Sequence, residues 1–308
     1  HPHVILEIIT TTTSVGKKIS DIYPDLQGVE QVLELYSPAE LVRRKVDLVF
    51  LAVHHGMAMN FVQDILQYGI KVVDLSADFR FADSDVYAKA YEEHQTPDLC
   101  RSAVYGLTEL FRMSIKKANL IGNPGCYVTA SLLPLIPLRD VIRDIIIDAK
   151  SGVSGAGRKV DETLLYTQVT NNFKAYGIAR HRHQPEIETY LGMPVEFVPH
   201  LLPINRGILA TIYFKSDQTL DTLKAKLKKI YMDEPFVHVI DHAPEIRMVA
   251  GTNHCMMNLY PASHPGQFVI VSVIDNLLKG ASGQAVQNMN VMLGLPEMSG
   301  LDLTPAYP

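Results

Sequence analysis

Asp47-Leu48-Val49-Phe50-Leu51-Ala52-Val53 is the most restrictive stretch of the chain, because an unbroken apolar run of this length suits a strand buried on both faces of a parallel sheet. Its surroundings repeat the theme. Met57 to Tyr68 carries apolar residues at Met57, Phe61, Ile65 and Leu66, a helical spacing, and Gly69 is placed to end the helix. Lys71–Leu75 and Asn119–Gly122 read as further strands, and Val4–Ile9 as an earlier one, broken by the run Thr10 to Ser14. Strand, helix, strand in this rhythm predicts an α/β, doubly wound parallel sheet with its ligands at the carboxyl ends of the strands.

Beyond residue 150 the rhythm changes. Ile208–Lys215 and Gln267–Ile274 read as strands, with a helix from Leu220 to Met232 between them, which predicts an α+β region with a mixed or antiparallel sheet. A last helix is expected over Lys279–Leu293, and a loose tail from Pro296. A dinucleotide-binding sheet normally opens with a strand and a glycine-rich turn leading into a helix. This chain enters at His1-Pro2-His3 on what reads as the second strand. The expectation is that about 20 to 25 upstream residues, enough for one strand, turn and helix, belong before it.

Composition narrows the function classes. With 33 acidic against 28 basic residues the net charge is −5, and no basic stripe marks a nucleic-acid surface. Residues are 47% hydrophobic and 20% charged, as in a globular protein. The apolar run Ser131–Leu138 is far short of a membrane span and holds two prolines, Pro134 and Pro137. No secretory signal peptide is read. Three dispersed cysteines, Cys100, Cys126 and Cys255, imply neither a disulfide framework nor a zinc site, and a reducing, cytoplasmic setting is expected.

Six segments carry candidate chemistry. In Asn123-Pro124-Gly125-Cys126-Tyr127 a tight turn follows a strand and sets the cysteine at a helix start. There, unpaired N–H groups would lower the thiol pKa and could hold an oxyanion, so the thiol reads equally as a nucleophile or a small core residue. Ser151-Gly152-Val153-Ser154-Gly155-Ala156-Gly157-Arg158-Lys159 lets backbone approach a phosphate or nicotinamide amide, or is simply a loop. His181-Arg182-His183-Gln184-Pro185-Glu186, taken as extended, would put His181 and His183 on one face, either as a proton-transfer pair or as a solvated polar loop. Two histidines without a third ligand make a poor metal site. Arg80, after the strand ending at Leu75, could grip a phosphate or carboxylate, or form an ion pair with Asp78 or Asp83, and Arg206 raises the same two options. Thr11, Thr12, Ser14 and Lys17 offer hydroxyls and a cation where an acidic ribose ligand is usual, which tilts a dinucleotide site toward NADP, with Glu7 as the counter-indication.

Taken in order, Asn123–Tyr127, Ser151–Lys159, His181–Glu186, Pro199-His200-Leu201 with Arg206-Gly207, and Asp275-Asn276-Leu277-Leu278-Lys279-Gly280-Ala281 give a chain that resembles the N-acetyl-gamma-glutamyl-phosphate reductases from His1 to about Pro296. The resemblance implies a Rossmann-like NADP-binding domain (residues 1–122 and 276–308, its first strand missing) and a catalytic and oligomerisation domain (residues 123–275). It implies a homodimer or homotetramer that reduces an acyl phosphate with NADPH and releases phosphate in arginine biosynthesis. Cys126 would form a thioester, and His181 would be the acid/base with His183 its rival or a substrate ligand. Arg80 would contact phosphate, Arg206 a carboxylate, and Asn123 the substrate. Ser151, Gly152, Ser154, Gly155 and Asn276 would face the nicotinamide, and the last helix would fold back onto the nucleotide domain. Aspartate-semialdehyde dehydrogenase is the sister reading, suggested by Ser76–Arg80. A cysteine-dependent acyl hydrolase and a non-catalytic truncated chain are the readings from other classes.

Overall fold

The computed structural model describes residues 1–157 and 161–305, so Arg158 and Lys159 of the glycine-rich segment lie outside the described residues. Strands β3 (Leu48–Leu51), β4 (Lys71–Asp74), β5 (Val104–Tyr105) and β6 (Leu120–Gly122) form a wholly parallel sheet in the order β3-β4-β6-β5. The Met59–Leu66 helix returns the chain from β3 to β4, burying Met59, Val62 and Ile65 at helical spacing. The expected strand over Val4–Ile9 shrinks to β1 (Ile9–Thr10), paired in parallel only with β2 (Leu33–Glu34), and these two form a separate sheet. A strand needs a partner along its length, and Ile5, 82% exposed, has none among the described residues.

The second unit is a seven-stranded mixed sheet in the order β11-β12-β13-β10-β7-β9-β8. Its members are β7 (Arg143–Gly152), β8 (Lys174–Ala175), β9 (Val195–Leu202), β10 (Ile208–Lys215), β11 (Val237–Val239), β12 (Cys255–Pro261) and β13 (Gln267–Ile274). Period-two alternation decides its faces. Ile145, Ile147 and Ala149 of β7 and Ile208, Ala210 and Ile212 of β10 are buried, in one core with the Cys126–Leu135, His183–Leu191 and Leu220–Tyr231 helices. Intervening residues such as Ile146 and Tyr213 stay exposed, so the opposite face is open. The register runs Ile208↔Ser151 between β10 and β7 and Gly152↔Leu202 between β7 and β9, which brings the end of β7 beside the turn holding Asn205 and Arg206.

Three local expectations change. The segment at His181 is not extended: an α-helix starts at His183 and closes on Gly192, whose φ of +79° is the left-handed end that glycine takes without strain. The last helix begins later, at Gly283, after a π-helical turn over Leu278–Ser282. The tail is pinned through Leu301, where Asn290 Nδ2 donates to the carbonyls of Glu297 and Ser299 and Leu301 is buried. The last helix packs on the four-stranded sheet, placing Ala285, Val291 and Met292 against Val73, Ile115 and Ile121. Among the described residues no helix is long and apolar enough to cross a membrane.

Candidate active site

β6 ends at Gly122, Gly125 supplies an extended N-cap, and Cys126 opens a ten-residue helix whose following residues are all buried. Extension followed by helix is the geometry expected of Asn-Pro-Gly-Cys, and it fixes the cysteine where free backbone N–H groups converge. The acidity is the reverse of the expectation. Desolvation dominates and pushes the Cys126 thiol up to about 11, although the N–H of Tyr127, the N–H of Cys126 and the charge of Arg80 all pull it down. The free site therefore holds a neutral thiol.

Both histidines stand at this turn. The rings of His181 and His183 are 4.9 Å apart by centroid and lie 5.7 and 5.9 Å from the ring of Tyr127. His183 is the nearer to the start of the cysteine helix: a side chain on Gly125 would put its Cβ 2.5 Å from His183 Nε2, so glycine is required there. His183 Nδ1 is buried and has no hydrogen-bond partner among the described residues. His181 Nδ1, in contrast, accepts from the backbone N–H of His183 at 3.2 Å, which places the neutral ring's proton on Nε2. Burial lowers the His181 pKa to about 4 and holds that of His183 well below the ordinary histidine range, with neighbouring positive charge adding to both shifts.

Arg80 and Asn123 brace the turn. Arg80 is buried and directs Nε to the Asn123 carbonyl (2.7 Å), one terminal nitrogen to Glu186 (3.2 Å) and the other to the Leu75 carbonyl (3.2 Å). Each of its three nitrogens bonds to protein, which uses three of its five N–H donors, and the terminal nitrogen paired with Glu186 stands 3.0 Å from where a Cβ on Gly125 would lie. The Asn123 amide donates to the Ala281 carbonyl and accepts from Asn288 Nδ2. Glu186, quoted in a motif but given no role from sequence, is the hub. Its buried carboxylate accepts from Arg80, from Tyr105 Oη (2.7 Å) and from the Gly125 N–H (3.0 Å). Recognising a helix start at His183 would have exposed it, because residues three apart share a helix face.

On the other flank, Asn276 accepts from the Gly207 N–H (2.7 Å) and donates to Ser154 Oγ (2.9 Å), while Ser154 Oγ donates to the Asn205 carbonyl (2.6 Å). A Cβ on Gly152 would meet the Asn205 carbonyl at 2.6 Å and one on Gly155 would meet Ser151 Oγ at 2.8 Å, so both glycines permit a close backbone approach. Gly280, in the π-helical turn, packs against the cysteine: a Cβ there would stand 2.7 Å from Cys126 Cβ. The sequence-predicted residues Cys126, His181, His183, Arg80 and Asn123 thus meet on one turn. Ser151, Gly152, Ser154, Gly155, Arg206 and Asn276 form a second group, joined to the first through the π-helical turn. Thr11, Ser14 and Lys17 lie apart from both, in the loop after β1, where Thr11 N–H donates to the Glu34 carbonyl and Lys17 is exposed.

Comparison with known proteins agrees with this arrangement. The family described as semialdehyde dehydrogenase, NAD binding domain, matches residues 1–118, and that described as semialdehyde dehydrogenase, dimerisation domain, matches residues 126–276. The N-acetyl-gamma-glutamyl-phosphate reductase of Geobacter sp. (strain M21) is 46% identical over 327 residues, covering 100% of this chain and 93% of the relative. That of Desulforapulum autotrophicum is 42% identical over 319 residues, covering 99% and 92%. Among solved structures, aspartate semialdehyde dehydrogenase II from Vibrio cholerae superposes with a TM-score of 0.69 at 16% identity over 93% of this chain and 90% of that one. Aspartate semialdehyde dehydrogenase with NADP from Candida albicans gives a TM-score of 0.70 at 14% identity, over 96% and 92%. The chain is an NAD(P)-dependent oxidoreductase that belongs to the semialdehyde dehydrogenase family and, within it, groups with the N-acetyl-gamma-glutamyl-phosphate reductases.

Proposed function

We propose that the protein reduces N-acetyl-glutamyl 5-phosphate to N-acetyl-glutamate 5-semialdehyde and phosphate with NADPH, through a thioester on Cys126, as a step of arginine biosynthesis. The observation that carries the reading is a thiol at a helix start with His183 Nε2 packed against Gly125, the N-cap of the same helix. His183 takes the thiol proton, in preference to His181, whose Nδ1 is already engaged. Before substrate binds the transfer is uphill, because burial keeps the thiol weakly acidic and both imidazoles weakly basic. An incoming phosphate dianion adds the negative charge that stabilises an imidazolium. The sulfur then attacks the acyl carbon and the C–O bond breaks with its electron pair going to phosphate, so one hard step becomes two easier ones.

The residues present fit a nicotinamide dinucleotide. Glycines 152 and 155 let the loop pack closely on Asn205 and Ser151, which sets Ser151, Ser154 and Asn276 together as polar groups for the nicotinamide end, and Thr11, Ser14 and Lys17 suit a 2′-phosphate. When bound, NADPH supplies hydride to the thioester carbon. The N–H groups at the start of the cysteine helix stabilise the oxyanion that results. Collapse expels the Cys126 thiolate, which recovers its proton from His183 and frees the aldehyde.

The open face of the seven-stranded sheet, with Ile146 and Tyr213 exposed, supports association of copies into a homodimer or homotetramer. Three unpaired cysteines support a cytoplasmic setting. The test is turnover in the reverse direction, with phosphate, NADP and either N-acetyl-glutamate semialdehyde or aspartate semialdehyde. Preference for the first, with a mass adduct on Cys126, is the expected result. Preference for the second, or no adduct, refutes the proposal.

A further inference from the structure

Asp275 stands between the two halves of the site and is assigned no task by the chemistry above. It is fully buried. Oδ1 accepts from the N–H groups of Leu277 (2.8 Å) and Leu278 (3.1 Å), and Oδ2 accepts from that of Gly251 (2.7 Å). Its carbonyl accepts from Gly280 N–H at 2.9 Å, closing the π-helical turn that packs on Cys126. The remaining contact is with a cation: Arg206 Nε is 3.2 Å from Asp275 Oδ2 and is itself buried with no hydrogen bond of its own.

The rest of that guanidinium is uncommitted. Arg206 has a side chain 35% exposed although Nε is buried, and its two terminal nitrogens make no hydrogen bond among the described residues. A guanidinium held along its Nε edge presents its opposite edge as a fixed two-donor fork, the shape that binds a carboxylate bidentately. The Arg206 backbone is set as well, because it lies in the turn packed on Gly152 and fastened by Asn276 to Gly207.

From this geometry we infer that Asp275 is a positioning residue that aims Arg206 at the α-carboxylate of an N-acyl amino-acid semialdehyde, keeping carboxylate recognition in register with Cys126. The inference rests on the proposed function for its substrate and not for its geometry.

The test compares N-acetyl-glutamate 5-semialdehyde with 4-acetamidobutanal, which lacks only the carboxylate. For Asp275→Asn the KM for the first rises by about tenfold or more, the loss of a well-aimed charged hydrogen-bond pair. The kcat/KM for the second falls much less, so the preference for the carboxylate compound drops by about tenfold or more. Equal loss on both compounds makes Asp275 a structural cap and overturns the inference, as does no loss on either. Should Asp275→Asn fail to fold, Arg206→Lys puts the same question, since an ammonium cannot hold Asp275 and still offer a fork. It must show the same selective loss, and full retention of discrimination is the overturning result. Calorimetric binding of both compounds to Cys126→Ser separates this from the proposed function. Absent wild-type turnover with carboxylate-dependent binding that Asp275→Asn abolishes refutes the reaction alone, and active wild type with binding indifferent to Asp275→Asn refutes the inference alone.

Discussion

Polar side chains at the carboxyl ends of the four-stranded sheet turn inward, whereas in the other unit Asn276 and Ser154 bond to protein while His183 and Arg206 each keep a nitrogen without a hydrogen-bond partner among the described residues. Asp74, Arg80 and Asn123 all lie at strand ends where an α/β sheet puts its ligand, yet each is buried and bonded to protein. The difference separates two jobs: one sheet builds the rigid turn that carries the sulfur, and the other unit supplies the side chains to which the proposed function gives the substrate contacts.

Replacing Cys126 sharpens the contrast most. Cys126→Ser should lower kcat/KM by about 10⁴-fold or more while leaving the fold intact, because a serine hydroxyl cannot replace the thiolate as nucleophile and leaving group. Circular dichroism and turnover measured on the same preparation check both halves, and substantial residual activity would put the nucleophile elsewhere. The histidines come next. His183→Asn should cost about 10²–10⁴ in kcat, the usual worth of a positioned acid/base, and His181→Asn less, since its Nδ1 serves the helix start. The reverse order would restore His181 to the proton-transfer role that the sequence favours.

Arg80 tests the inward-turned half. Breaking its buried ion pair with Glu186 by Arg80→Ala should cost about 3–5 kcal/mol of stability, seen as a fall in Tm of several degrees, and should slow the chemical step along with it. A pure rise in the phosphate KM with Tm unchanged would return Arg80 to phosphate binding.

The fold was legible where a buried face imposes a period. β10 and β13 run over the very residues that alternation and apolar content mark out, and the Leu220 helix ends within one residue of its expected limit. Legibility failed where a neighbour decides. Val4–Ile8 looks like a strand and lacks a partner strand among the described residues, and the π-helical turn at Leu278 answers to the Asp275 carbonyl and to Cys126, which no local pattern announces. The site was legible as a set of residues and less so as a set of roles. Asn-Pro-Gly-Cys locates the sulfur, but whether Arg80 reaches outward or braces depends on Glu186, which lies 106 residues away.

The thiol's acidity is the finest test of the contrast, because the helix start and the buried setting pull it in opposite directions. If the N–H groups of the turn governed, Cys126 would be largely ionised at neutral pH and would alkylate faster than an ordinary thiol. With desolvation governing, its pKa goes from 9.0 to about 11, and the thiolate fraction at pH 7 falls about 100-fold below that of an unperturbed cysteine. Iodoacetamide should therefore modify the free enzyme slowly, and the rate should climb about tenfold per pH unit from pH 7 to 10 with no plateau near neutrality. Cys100 and Cys255 are buried and also raised, to about 11 and about 12, so peptide mapping is needed to read Cys126 alone. Inorganic phosphate is the decisive addition: a dianion held near His183 favours the imidazolium, and with it the thiolate, so it should accelerate alkylation at pH 7 unless it blocks the reagent. A plateau near pH 7 without phosphate would mean that the helix start outweighs burial, and that the rigid turn activates its own sulfur without help from the second unit.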